Sequence, residues 1–282
     1  MRLKSKAYLL AMLPFILLVL FYEVIPIIMI ILRSFLPEGH LGFTLEHYLT
    51  IFTKRLYLQA VVNSVLISLL SSLIGIVIAF FGAKAANEVK SSRKQLFTGI
   101  LNMTSNFAGI PLAFAFIILL GNTGVLVLFG KTMGIEALEN FHLYTFQGLL
   151  LTYIYFQIPL ATLLLIPVFH GLRQEWKEAV VLLGGNAVHY WIKIALPCIL
   201  PSLFATLSVL ISNAIAAYAT AYALLANNYS LLSIRISEQF SGDLVQRKEF
   251  GSALAVVMMI LMVTATWIND RLTKKAKRGM RQ

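Results

Sequence analysis

Along the 282-residue chain, apolar residues gather into six runs, at about 7–32, 60–83, 97–120, 145–168, 198–225 and 249–268. A helix rises 1.5 Å per residue, so about 20 apolar residues cross a hydrocarbon core of about 30 Å. The pattern predicts an all-α membrane protein with six transmembrane helices in a single transmembrane domain over 1–282. An even number of spans puts both termini on one side. The first run follows Arg2, Lys4 and Lys6 as a signal peptide would. It is too long for one and no small-x-small cleavage site follows, so an uncleaved span is expected.

The polar positions inside the runs are as informative as the apolar ones. In the second run Ser64, Ser68 and Ser72 form one row of small residues, and Ser71, Gly75, Ala79 and Ala83 form another. Small residues every fourth position let a neighbouring helix approach closely. The third run opens with Asn102, Thr104, Ser105 and Asn106, then Gly109 and Pro111. Such groups need partners in hydrocarbon, which leaves two readings: a transport path at an interrupted helix, or hydrogen bonding between helices. The fourth run carries Thr152, Tyr153, Tyr155, Gln157 and Pro159. In the fifth, Asn213, Tyr218 and Tyr222 are pathway candidates, while Ser208 and Ser212 read better as packing. Glu23 in the first run reads as an interfacial carboxylate more readily than as part of a path.

Between the fourth and fifth runs lies a polar loop, 171–197, which predicts a short helix, a glycine turn at Gly184-Gly185 and a second short helix that Pro197 ends or re-aims. Charge decides which side it faces. Lys and Arg number 3 before the first run, 4 after the second, 3 around the 171–197 loop and 6 in the tail, against 3, 1 and 3 in the alternate loops. Basic residues collect on the cytoplasmic side, so the 171–197 loop and both termini are expected there. The loops at 33–59, 121–144 and 226–247 are then external, with His40, His47, Asn227, Asn228, Glu238 and Asp243 among them. Both His40 and His47 are expected to face solvent.

Composition narrows the chemistry. The chain is 59% hydrophobic and 12% charged, and the runs leave no length for a soluble catalytic domain. The net charge of +11 reports topology in such a protein rather than nucleic-acid binding. One cysteine, Cys198, excludes an intrachain disulfide and a thiolate zinc cluster. No metal set is expected: the histidines at 40, 47, 142, 170 and 189 fall in loops or at span ends. Gly130-Lys131-Thr132 resembles the end of a phosphate-binding loop, but Val125 stands where that motif needs glycine. An ion-coupled secondary transporter is the alternative class, yet it needs ionisable groups at mid-membrane, and these runs hold almost none.

The 171–197 loop also carries a resemblance. Glu178-Ala179-Val180, three residues, Gly184, nine residues, Ile194, one residue and Leu196-Pro197 resemble the EAA loop of permease subunits of binding-protein-dependent ABC importers, with Val180 where a second Ala is usual. The resemblance implies the type I importer permease fold, in which a first helix packs around a five-helix core. It implies that Glu178, Ala179, Gly184, Gly185, Ile194, Leu196 and Pro197 couple the chain to a cytoplasmic ATPase dimer. ATP and magnesium would be bound on that ATPase, so the chain itself needs no cofactor and is not an enzyme. The other implied partners are a second permease subunit, identical or sister, an extracytoplasmic solute-binding protein and the bilayer of a bacterial cell membrane. The stretch 102–121 resembles more narrowly the permeases for spermidine/putrescine and 2-aminoethylphosphonate. A path lined by Asn106, Gln157, Asn213 and Tyr218 is the corresponding expectation.

Overall fold

The computed structural model describes residues 12–39, 42–89, 91–226, 229–241 and 246–279, without the side chains of 91, 92 and 276–279. Arg2, Lys4, Lys6, His40, Asn227, Asn228 and Asp243 lie outside the described residues. Among the described residues every regular element is helical. Six segments among the described residues are long and apolar enough to cross a membrane: Met12–Arg33, Arg55–Glu88, Ile110–Met133, Phe146–His170, Ala187–Ala216 and Lys248–Lys275.

Met12–Arg33 (α1) stands apart, with no buried residue in its most apolar window, and leans on the last helix, Lys248–Gly279 (α13). After a short helix at Glu46–Thr53 (α2) comes Arg55–Glu88 (α3), which extends about a turn beyond the 60–83 run at each end. It packs chiefly on Phe146–His170 (α8). Both rows of small residues on α3 are buried. A Cβ on Gly75 would meet Gln157 Cβ at 3.0 Å, so glycine sets the closeness of the α3–α8 contact. With lipid outside, it is such fit and interhelical hydrogen bonding, more than apolar burial, that hold helices together.

Two spans differ in their bounds from the expectation, and the third span is interrupted where Gly109 and Pro111 pointed to a break. The run at 97–120 is split into Ser91–Asn106 (α4) and Ile110–Leu120 (α5). Gly109 between them has φ +76° and ψ −142°, a conformation in which a side chain is strained. The segment apolar enough to span is Ile110–Met133, in which a turn at 121–124 separates α5 from Val125–Met133 (α6); Glu136–Glu139 (α7) follows it. Likewise the run at 198–225 begins earlier and is interrupted. One helix, Ala187–Ala216 (α10), precedes a break at Ala217 and Tyr218, and Ala219–Leu225 (α11) follows.

Pro197 does not end the second short helix. A π-turn at Trp191–Ala195 carries α10 through it, with Leu196 N–H donating to Trp191 O. Pro26 follows the same device, a π-turn at Leu20–Val24 in which Ile25 N–H donates to Leu20 O. Proline lacks an N–H and its ring crowds the carbonyl four residues back, and a wider turn just ahead of it relieves that clash.

The described part of the 226–247 loop is largely helical. Leu232–Ser241 (α12) tucks Leu232, Ser233 and Ile234 into the bundle, where Leu232 N–H donates to Ser64 Oγ at 2.8 Å and Asn63 Nδ2 to Ser230 O at 3.0 Å. His47 is buried rather than solvent-facing, with Nε2 2.8 Å from Leu36 O and its ring edge-on to Phe250. A loop helix that must cover the span ends brings its polar groups inward, and they find backbone partners. Arg247 Nε also donates to Glu38 Oε1 at 2.6 Å. The 33–59 and 226–247 loops, both read as external, thus meet at one end of the bundle. At the other end Lys94 hydrogen-bonds His170, and Lys84 and Glu88 share a cleft with Arg173 and Lys177, so the basic segments after the second run and around 171–197 meet as well.

Candidate functional site

The 171–197 segment folds into a knuckle whose backbone is satisfied internally. Its first helix is Gln174–Leu182 (α9), capped by Leu183. Gly184 follows at φ +75°, and its N–H donates to Val181 O at 3.0 Å while Gly185 N–H donates to Val180 O at 2.8 Å. This is the paired closing of a Schellman motif. The two glycines are needed for different reasons. Gly184 supplies the left-handed φ in open space, whereas a Cβ on Gly185 would sit 2.6 Å from Val180 Cγ1. Asn186 then starts α10, its Oδ1 accepting from His189 N–H at 2.9 Å.

With its main chain closed on itself, the knuckle turns its side chains outward. Glu178 and Ala179 are exposed. Leu182 and Leu183 are each 87% exposed, and Val181 and Val188 more than half. A carboxylate beside an apolar tip on a rigid turn is suited to another protein's cleft. The root is the opposite, firmly embedded. Trp191 lies 6.0 Å from the Phe80 ring and 6.4 Å from Phe169, with Lys84 Nζ 4.7 Å from its own centre. The segment is thus rooted against α3 and α8. Ile194 lies within the π-turn and Leu196 and Pro197 just past it, away from the exposed tip with Glu178.

The four expected path residues fall in three places. Asn106 closes α4, where its Nδ2 donates to Asn102 O at 2.8 Å. Thr104 and Ser105 also bond within their own helix, to Ile100 O and Asn102 O, so these three side chains find local partners. Tyr218 stands at the other break and stacks on Tyr222 with ring centres 5.2 Å apart. The two breaks touch: Gly109 N–H donates to Thr220 Oγ1 at 3.0 Å, and Thr220 Oγ1 approaches Gly109 O at 3.3 Å. Tyr153 Oη ties the second break to α8 by donating to Ala217 O at 2.7 Å.

Asn213 opens onto a groove of about 600 Å³ between α10 and α13, shared with Ser208, Ser212, Thr266 and Asn269. Gln157 is sealed, fully buried where three spans meet. Its Nε2 donates to Ser72 Oγ at 3.0 Å and to Leu210 O at 2.8 Å, and its Oε1 is without a partner. Burial of this kind marks a clamp between helices. Sequence reasoning missed Asn186 and Trp191. Asparagine ahead of a helix is a readable cap signal, whereas the place of Trp191 depends on Phe80 and Phe169, distant in the chain.

Residues 71–278 match the family described as binding-protein-dependent transport system inner membrane component. The trehalose transport system permease protein SugB of Mycobacterium tuberculosis is 26% identical over 66% of this chain and 65% of its own length. The thiamine transport system permease protein ThiP of Escherichia coli is 22% identical over 74% of this chain and 39% of its own. The chain thus spans about two fifths to two thirds of the lengths of these relatives. Among solved structures, a bacterial ABC transporter involved in alginate import superposes with TM-score 0.76 at 17% identity, covering 97% of each chain. The inward-facing MetNI methionine ABC transporter gives TM-score 0.60 at 15% identity over 78% of this chain and 96% of its own. These two likenesses are of fold.

Proposed function

This chain belongs to the family of inner membrane components of binding-protein-dependent transport systems, and from that premise we propose that it is the permease subunit of an ATP-binding-cassette importer. An extracytoplasmic binding protein hands it a small solute. A second permease subunit, identical or sister, completes the path. ATP and magnesium are bound by a separate cytoplasmic ATPase dimer, and this chain supplies no catalytic group.

The observation that carries this reading is the knuckle: a self-satisfied Schellman turn with an exposed carboxylate and an exposed apolar tip, rooted in the α3–α8 aromatic cluster. In this reading Leu182 and Leu183 enter the ATPase cleft, and Glu178 forms a charge-assisted hydrogen bond with a basic group there. Ala179 keeps the contacting face small. Gly184 and Gly185 hold its shape, and Ile194, Leu196 and Pro197 pass its motion into α10. Asn106, Asn213 and Tyr218 border the solute path, while Gln157 acts on that path by holding α3, α8 and α10 together.

For the solute we propose a small charged molecule, a polyamine such as spermidine or putrescine, or 2-aminoethylphosphonate. The stacked Tyr218–Tyr222 pair, with Tyr222 45% exposed, supports an ammonium-bearing solute, since ring faces attract cations. Uptake of labelled putrescine by cells expressing the full system, with 2-aminoethylphosphonate as competitor, tests that choice.

The subunit assignment is tested by affinity purification of the chain in detergent, with bound partners identified by mass spectrometry. An ATPase should come with the wild type and be lost with Glu178→Ala or Gly184→Val, while both variants remain inserted. A stable chain that carries no nucleotide-binding partner overturns the assignment and favours an ion-coupled secondary transporter.

A further inference from the structure

Two cavities share one seam of the bundle. The first is a cleft of about 410 Å³ at the basic end, lined by Lys84, Arg173, Lys177, Glu88 and Trp191 among others. Among the described residues no ion pair engages Lys84, Arg173 or Lys177. Three cations face one carboxylate, so the cleft keeps an excess of positive charge. The Trp191 ring fixes the Lys84 ammonium at 4.7 Å, a cation–π contact that leaves its hydrogen-bond donors free.

The second cavity is a groove of about 340 Å³ between α3 and α10, and every residue lining it is apolar, including Ile76, Phe80, Phe81, Leu200 and Phe204. Groove and cleft adjoin. Phe80 of the groove meets Trp191 of the cleft with ring centres 6.0 Å apart, and Lys84 lies one helical turn beyond Phe80 on the same face. From Lys84 to Ile76 the helix rises roughly 12 Å, comparable to one leaflet's hydrocarbon depth of about 15 Å.

A free anion would use the cleft alone, and an acidic protein segment has no use for an apolar groove descending into the bilayer. An amphiphile with an anionic head uses both. We propose that this seam binds an anionic phospholipid of the leaflet at the basic end. Lys84, Arg173 and Lys177 hold its phosphate, and one acyl chain lies along Phe81, Leu200 and Phe204. Basic pockets between spans at that face suit phosphate head groups, and Trp191 sits where indole rings favour the interface. Since Trp191 also roots the knuckle, a bound lipid braces the segment that carries Glu178. The site depends on neither the solute nor the ATPase, so it stands or falls separately from the importer assignment.

The test uses the full chain, purified in detergent and examined by native mass spectrometry after incubation with dioleoylphosphatidylglycerol, dioleoylphosphatidylcholine or inorganic phosphate. Phosphatidylglycerol should be retained in preference to phosphatidylcholine. Lys84→Gln and Lys177→Gln should each lower its retention about fivefold, the scale expected for one basic group at a membrane surface. Val77→Trp, at a 57% exposed position lining the groove, should lower retention while leaving every charge in place. Arg173→Gln, also at an exposed position, repeats the charge test if Lys84→Gln melts early. Equal retention of both lipids overturns the proposal. So does full retention by Val77→Trp, which would mean attraction of a head group without a seated chain. Stable phosphate adducts without lipid preference overturn it in favour of a free-anion site.

Discussion

Replacing Gln157 separates the two roles that a buried amide can have in a transport protein. Gln157→Leu removes the hydrogen bonds to Ser72 Oγ and Leu210 O. Interhelical hydrogen bonds in membranes contribute about 0.6 kcal/mol each, so the loss is about 1.2 kcal/mol. The same change removes Oε1, buried without a partner, and relieving such a group returns about 1 to 3 kcal/mol. The terms nearly cancel, and the side-chain volume is roughly kept.

Gln157→Ala makes the same polar changes but leaves a void among α3, α8 and α10, and truncations of that kind cost about 2 to 5 kcal/mol. Thermal unfolding of the detergent-purified chain should therefore place Gln157→Leu within about 2 °C of the wild type and Gln157→Ala lower by roughly 4 to 10 °C, at about 2 °C per kcal/mol. Uptake should survive in the leucine variant. Two results refute the reasoning. Equal destabilisation by leucine and alanine would show that the hydrogen bonds, not the volume, hold the junction. Lost uptake in a leucine variant of normal stability would show that the amide touches solute.

Three other perturbations bear on the breaks and the knuckle. Gly109→Ala should lower stability by about 1 to 3 kcal/mol from backbone strain alone, because its Cβ would meet nothing closer than Ala219 Cβ at 3.6 Å; an unchanged melting temperature would mean that the break relaxes. Leu182→Asp, at a position 87% exposed, should change stability by no more than about 0.5 kcal/mol yet abolish recovery of the ATPase, and a variant that still recovers it would remove the apolar tip from the docking surface. Arg247→Ala breaks a pair with Glu38 whose side chains are 36% and 40% exposed. The cation–π contact of Arg247 over the Phe250 ring at 4.8 Å goes with it, so the change should cost no more than about 2 kcal/mol, and a larger drop in melting temperature would show that the external loops depend on Arg247.

Much of this architecture was legible in the residue order. Six apolar runs in 282 residues admit little besides a helical membrane bundle, since a backbone in hydrocarbon must satisfy its own hydrogen bonds. The rows through Ser64 and Ser71 on α3 marked a close helix contact before any partner was known. Gly184, followed at once by Gly185, announced a turn. The charge count divided the loops into two groups, and in the structure two members of each group meet.

What the linear reading could not see depends on residues far apart in the chain. Gly109 and Pro111 pointed to an interruption in the third run, but hydropathy alone does not register where a helix is cut, so the break at Tyr218 was hidden inside a run of apolar residues. Both breaks are held open by Thr220 and Tyr153, more than 60 positions from the groups they bond. The same holds for the burial of His47 under Phe250 and for Gln157 at the junction of three spans. Local composition and period thus determined how many helices cross and which loop faces the charged side, because those follow from solvation of each segment by itself. Only the tertiary structure decided which polar groups are sealed, which are braced and which stay open, because that depends on what the neighbouring helix places against them.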